Sequence, residues 1–179
     1  MVFARPTIRR SNLRAKLRPT VSPRRIINSS SPSTSLGGLP KSLASCCVFV
    51  PITIAQGYLA SERAGRHVRL RKMGDTTSLT FKVGRGAHRE EREIKLSAKQ
   101  FAALWPGTVG RRLRKTRYEI PWRGLLIEID IYRGKHSGLV VAEVEFPNSA
   151  RCRRFKAPWW FGREVTGEKR YSNVRLALT

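Results

Sequence analysis

Five pairs of like-charged residues, the members of each pair separated by one residue, mark residues 69–145 of this 179-residue chain: Arg69/Arg71, Glu91/Glu93, Lys115/Arg117, Glu128/Asp130 and Glu143/Glu145. Cations held at fixed separation bind phosphate oxygens, Arg through a planar fork and Lys as a point charge. Carboxylates in the same arrangement ligate hard divalent cations or hold neighbouring bases in place. Successive side chains of a strand point to opposite faces, so both members of each pair share a side. The residues around them are mostly apolar, among them Val68, Leu70, Ile127, Ile129 and Val144. One such pair describes only a solvated strand face. Five pairs of both signs suggest strands with a charged interior and an apolar exterior, suited to a polyanion and its metal ions.

The elements that must position these pairs are strands. Candidates follow in order at Cys47–Ile54, Gln56–Ala60, His67–Met73, Ser78–Val83, Glu90–Leu96, Thr116–Pro121, Leu125–Ile131 and Leu139–Phe146. Turn signals separate several of them: Gly74-Asp75, Gly84-Arg85-Gly86 and Arg123-Gly124. Ser97 is a good N-cap for a helix over Ala98–Leu104, stopped before Pro106, and a second short helix fits Ser149–Phe155. Strands at this spacing predict a meander or closed barrel with a helix or two outside.

Composition bounds the partners. The net charge is +24 and the pI about 11.5, which points to an anionic ligand. Residues 1–61 contain no Asp or Glu, and the first carboxylate is Glu62. Residues 1–46 are rich in Arg, Ser and Pro without helical or strand period, so a disordered segment is expected there, followed by one domain over 47–179. Its composition also fits a transit peptide, or a mis-assigned start whose product carries no selected pattern. The apolar run from Leu43 to Ile54 is too short to cross a bilayer. Cys46, Cys47 and Cys152 show no metal spacing, which fits a reduced, cytoplasmic protein. His67, His88 and His136 are scattered, with no ligand spacing. Trp105, Trp122, Trp159 and Trp160 are read as packing rather than as base-stacking platforms.

From Gln56 to Leu178 the chain resembles the triphosphate tunnel metalloenzymes, also called the CYTH family, and most closely their small bacterial members that hydrolyse inorganic triphosphate. The resemblance rests on Gln56-Gly57-Tyr58-Leu59, Val68-Arg69-Leu70-Arg71, Leu79-Thr80-Phe81-Lys82, Lys115-Thr116-Arg117-Tyr118, Ile127-Glu128-Ile129-Asp130 and Ala142-Glu143-Val144-Glu145-Phe146. It ends on Gly162-Arg163-Glu164-Val165-Thr166-Gly167 and Lys169-Arg170-Tyr171-Ser172-Asn173. The resemblance implies an α+β fold: an antiparallel β-barrel closed around a tunnel, a few helices outside, and a triphosphate with Mg²⁺ or Mn²⁺ in the lumen.

By the same resemblance, Arg69, Arg71, Lys82, Lys115 and Arg117 form the phosphate clamp, with Lys169 folding back from the tail. Glu143 and Glu145 are the metal ligands, and Glu91, Glu93, Glu128 and Asp130 are supporting acids that orient the bases, bind metal, or both. Tyr58 stands where the family has a tyrosine that helps activate water. That tyrosine works with a lysine from an opening Glu-x-Glu-x-Lys strand. Here that strand is missing or replaced, which weighs on turnover more than on fold. The expected substrate is inorganic triphosphate or a small organic one, such as a nucleoside or thiamine triphosphate. Adenylate cyclase or thiamine triphosphatase activity, triphosphate or polyphosphate binding without turnover, and non-specific nucleic-acid binding are the alternatives. Nucleic acid on the basic exterior is not the expected partner, and open strand edges point to a homodimer.

Overall fold

The computed structural model describes residues 24–28, 50–62, 66–83 and 90–179, the first group by its backbone. The strands are β1 (Arg24–Asn28), β2 (Ile52–Ser61), β3 (His67–Met73), β4 (Thr76–Val83), β5 (Glu90–Leu96), β6 (Arg112–Trp122), β7 (Leu125–Tyr132), β8 (Val140–Glu145) and β9 (Arg163–Glu164). The helices are α1 (Ala98–Leu104), α2 (Ser149–Arg154) and α3 (Asn173–Leu178). All strand pairs are antiparallel.

The strands form one nine-stranded sheet in the order β5-β4-β3-β2-β6-β7-β8-β1-β9. This order is linear and corrects the expectation of a closed barrel. β5 and β9 are the two edges, and among the described residues no ladder joins them. The reason is visible in strand length: β9 contributes two residues and β1 five, against eleven in β6. Strands this short at the β9 end leave too little ladder there to close the sheet.

β1 lies inside the segment expected to have no regular structure, and it occupies the place beside β8. Its sequence, Arg-Arg-Ile-Ile-Asn, holds no carboxylate. The rest of the expected disordered segment lies outside the described residues, as do Cys46, Cys47, the Gly84-Arg85-Gly86 turn and His88. The two strands expected over 47–60 are a single β2 that begins after Pro51, whose ring nitrogen cannot donate to a ladder.

Local signals explain most of the other boundaries. Ser97 and Gln100 close a capping box at the start of α1. Asn148 caps α2 by accepting from the Arg151 backbone. The β6–β7 hairpin turns through Arg123 (φ 47°) and Gly124 (φ 70°), the left-handed pair that a two-residue turn needs. Gly57 lets a short 3₁₀ turn, Trp105–Thr108, dock on β2: a Cβ there would lie 2.6 Å from Thr108.

The apolar core lies on the outer face of β6, β7 and β8, where Ile120, Ile127, Ile129, Ala142, Val144 and Phe146 are buried together. Phe155, Trp160, Phe161 and Trp122 pack over it, Trp122 meeting Trp160 edge to face. Trp105 stacks on Phe101 beneath the Arg112 guanidinium, while Trp159 is exposed. The other face of the same strands carries the charged pairs beside a second apolar cluster that includes Tyr58, Leu113, Tyr132 and Val141.

Candidate active site

Residues opposite one another in an antiparallel ladder project to the same side. On the charged face, Glu91 and Glu93 of β5 stand opposite Lys82 and Thr80 of β4. Lys82 and Thr80 stand opposite His67 and Arg69 of β3, and Arg69 and Arg71 opposite Tyr58 and Gln56 of β2. Gln56 and Ile54 face Leu113 and Lys115 of β6. Arg117 is paired with Asp130 of β7, and Glu128 with Glu143 of β8. The face therefore collects every residue expected at the site except Lys169. Lys169 is exposed on the turn before α3, lining an open cavity with His136, Arg170 and Arg175.

Two ion clusters form on this face. In the first, Lys82 Nζ lies 2.7 Å from Glu91, and Arg71 donates to Glu93 at 3.1 Å. Arg69 donates to Thr80 Oγ1 at 3.0 Å, and the Thr80 hydroxyl in turn donates a hydrogen bond to Glu93 at 2.9 Å. Burial, with Arg71 adding to it, draws the Arg69 guanidinium below its usual pKa. Its Nε is buried without a hydrogen-bond partner among the described residues.

The second cluster is deeper. Arg117 makes a two-pronged contact with Asp130, both bonds 2.8 Å, and a third contact with Glu128 at 2.5 Å. Lys115 Nζ donates to Asp130 at 2.5 Å, and both residues are about 2% exposed. Burial pushes Lys115 below its ordinary pKa against the pull of Asp130. Burial would raise Asp130, but the Arg117 hydrogen bonds and the Lys115 charge hold it below the usual carboxylate range. Glu128 is raised, by burial first and then by Glu143, Asp130 and Glu145, against the attraction of Arg117.

Tyr58 is buried under α3 with Leu113, Tyr132, Val141, Leu176 and Ala177. Its hydroxyl accepts from Gln56 Nε2 at 3.1 Å, and its ring meets His67 edge-on. The helix also brings a residue that strand alternation could not reveal. Asn173 Oδ1 accepts from the Tyr132 hydroxyl at 2.6 Å and lies 3.4 Å from Lys115 Nζ. Thr80 was likewise overlooked, although its place two residues before Lys82 marks it as facing the same way.

A hard divalent cation requires several oxygen donors. Glu143 and Glu145 share the charged face of β8, and Glu128 stands opposite Glu143. Glu128 is engaged by Arg117, however, and Asp130 by both Lys115 and Arg117. Among the described residues no three His, Cys, Asp or Glu side chains gather into a metal cage. The donors present do not complete a resident metal site.

An antiparallel sheet that gathers Arg and Lys on one face carries the donor types that can hold phosphate oxygens. No protein-family model matches the sequence. The chain is 42% identical over 130 residues to an inorganic triphosphatase of Nitrosomonas europaea, covering 72% of this chain and 85% of that one. It is 34% identical over 123 residues to an inorganic triphosphatase of Acetivibrio thermocellus, covering 68% and 77%. The crystal structure of the inorganic triphosphatase NE1496 superposes with a TM-score of 0.64 at 34% identity, covering 87% of this chain and 97% of the other. The chain belongs to the CYTH, or triphosphate tunnel metalloenzyme, family.

Proposed function

We propose that the chain is a metal-dependent triphosphatase acting on inorganic triphosphate or a small organic triphosphate. The observation that supports it best is the buried cation array. Arg69, Lys82, Lys115 and Arg117 are each no more than 8% exposed, on one face, with Arg69 Nε lacking an acceptor. Burying four cations is costly, and acidic partners offset that cost without explaining why so many are assembled. A triphosphate explains it, since its oxygens need cations at fixed separations.

In this reading Arg69, Arg71 and Lys82 grip one part of the triphosphate, and Lys115 and Arg117 another. Their fixed positions stabilise the charge that develops as a terminal phosphoryl group is transferred to water. Glu91, Glu93, Glu128 and Asp130 hold the bases in place. Tyr58, held by Gln56 and in register with Arg69, orients the attacking water. Mg²⁺ or Mn²⁺ neutralises phosphate oxygens when bound, and Glu143 and Glu145 are the carboxylates it would meet. Lys169 lies away from this face and takes no part in the grip.

No described helix is long and apolar enough to cross a membrane. A cytoplasmic enzyme, without nucleic acid as its partner, remains the proposed setting. The open β5 edge is where a homodimer would form, and a monodisperse monomer in light scattering would exclude that. A second reading, binding without turnover, is favoured by the absence of carboxylate and lysine from β1. Phosphate release from tripolyphosphate with Mg²⁺ decides between the two. The wild type should release phosphate, and Arg117→Ala should lose about 100-fold or more of the rate. Tight binding with no release would favour the second reading.

A further inference from the structure

Glu143 and Glu145, the carboxylates proposed to meet a metal, stand at an uneven boundary of the sheet. On the β7 side, Glu143 is opposite Glu128. On the β1 side, the residues in register with Glu143 and Glu145 are Ile26 and Arg24. Neither residue type offers an oxygen ligand. No carboxylate from further along the N-terminal region can replace them, because residues 1–61 hold no Asp or Glu at all. On the other side Glu128 is drawn to Arg117 at 2.5 Å. Glu143 and Glu145 thus face a metal from one strand only. The cations that would grip phosphate, by contrast, are already buried and braced.

From this asymmetry we infer that the chain does not hold its divalent metal alone and takes it up only together with a triphosphate, as a metal–triphosphate complex. The inference rests on the triphosphatase reading and sets the order in which the ligands bind. Triphosphate oxygens supply the ligands the protein lacks, and Mg²⁺ and Mn²⁺ both accept phosphate with one or two carboxylates. The protein's cations carry most of the anion's binding. The triphosphate should therefore bind without metal, while the metal should not bind without triphosphate.

Equilibrium dialysis of the full chain tests this with Mn²⁺ and a methylene-bridged triphosphate that cannot be hydrolysed. With Mn²⁺ alone, metal should equalise across the membrane. With the analogue added, Mn²⁺ should accumulate on the protein side in step with bound analogue. The analogue should also be retained in the presence of a chelator. In an Arg24→Glu/Ile26→Glu variant, carboxylates return to the positions opposite Glu145 and Glu143. Retention of Mn²⁺ without analogue should then rise at least about tenfold. Stoichiometric Mn²⁺ retention by the wild type without analogue overturns the inference and leaves the triphosphatase reading standing. Failure to retain the analogue, with metal or without, overturns both.

Discussion

The two ion clusters are built from the same alternating pattern and end in different physical states. In the β3–β5 cluster, the side chains of Glu91 and Glu93 are 27% and 38% exposed. In the β6–β7 cluster, the Asp130 side chain is 3% exposed and is bonded by two bases. The difference follows from position in the sheet. β5 is an edge, so its carboxylates look towards water, whereas β6 and β7 are central and α3 covers one end of their face. A charge pair near water can exchange its partner cheaply, because solvent compensates what is lost. A buried pair cannot. Under the proposed function the edge cluster is the adaptable half of the site, where phosphate oxygens would take the places of Glu91 and Glu93. The central cluster is the rigid half that fixes the geometry.

Breaking the rigid half should produce the largest effect. Asp130→Ala leaves Lys115 and Arg117 buried without their shared partner and should cost about 3–5 kcal/mol in denaturant unfolding. A loss below about 1 kcal/mol would mean that the central cluster is no more rigid than the edge. Next in size, Arg69→Ala removes charge-assisted contacts from the adaptable half. It should raise the KM for tripolyphosphate about 10- to 100-fold with a smaller loss of stability.

Acid titration separates the halves as well. The folded pKa of Asp130 is depressed, so its contribution is present in full above its unfolded value of about 3.9 and is lost as pH falls through the folded one. Stability of the wild type should therefore fall on acidification below about pH 4 in a way that Asp130→Asn does not share. Equal acid sensitivity in the two proteins would remove Asp130 from this role. Glu93→Gln should have the smallest effect, within about 1 kcal/mol of stability, because the Glu93 side chain is 38% exposed and Gln keeps an oxygen for Arg71 and Thr80.

Much of this face was legible because strand alternation is a strict geometric rule. Arg69/Arg71, Lys115/Arg117 and Glu128/Asp130 had to share a side once their segments were strands. Thr80 obeys the same rule and needed only to be read beside Lys82. Asn173 could not be found this way: it reaches Lys115 from a helix 58 residues further along the chain. Depth was also hidden. Nothing local distinguishes Asp130 from Glu93; their burial depends on which strand becomes an edge.

Closure failed for a related reason. Local pattern sets which strands form, but whether the last meets the first depends on edge length and pairing, and β9 has two residues. β1 was missed because its Arg-Arg-Ile-Ile-Asn run has no alternation, and only its pairing with β8 and β9 makes it a strand.

The central claim is that one charged face, with both clusters intact, binds and hydrolyses triphosphate. It is tested most directly by initial rates of phosphate release from Mg²⁺–tripolyphosphate, comparing the wild type with an Arg69→Met/Arg71→Met variant verified to be folded by circular dichroism. The wild type should turn over, and the variant should lose at least about 100-fold in kcat/KM. Equal rates from the two proteins would contradict the assignment of this face as the active site.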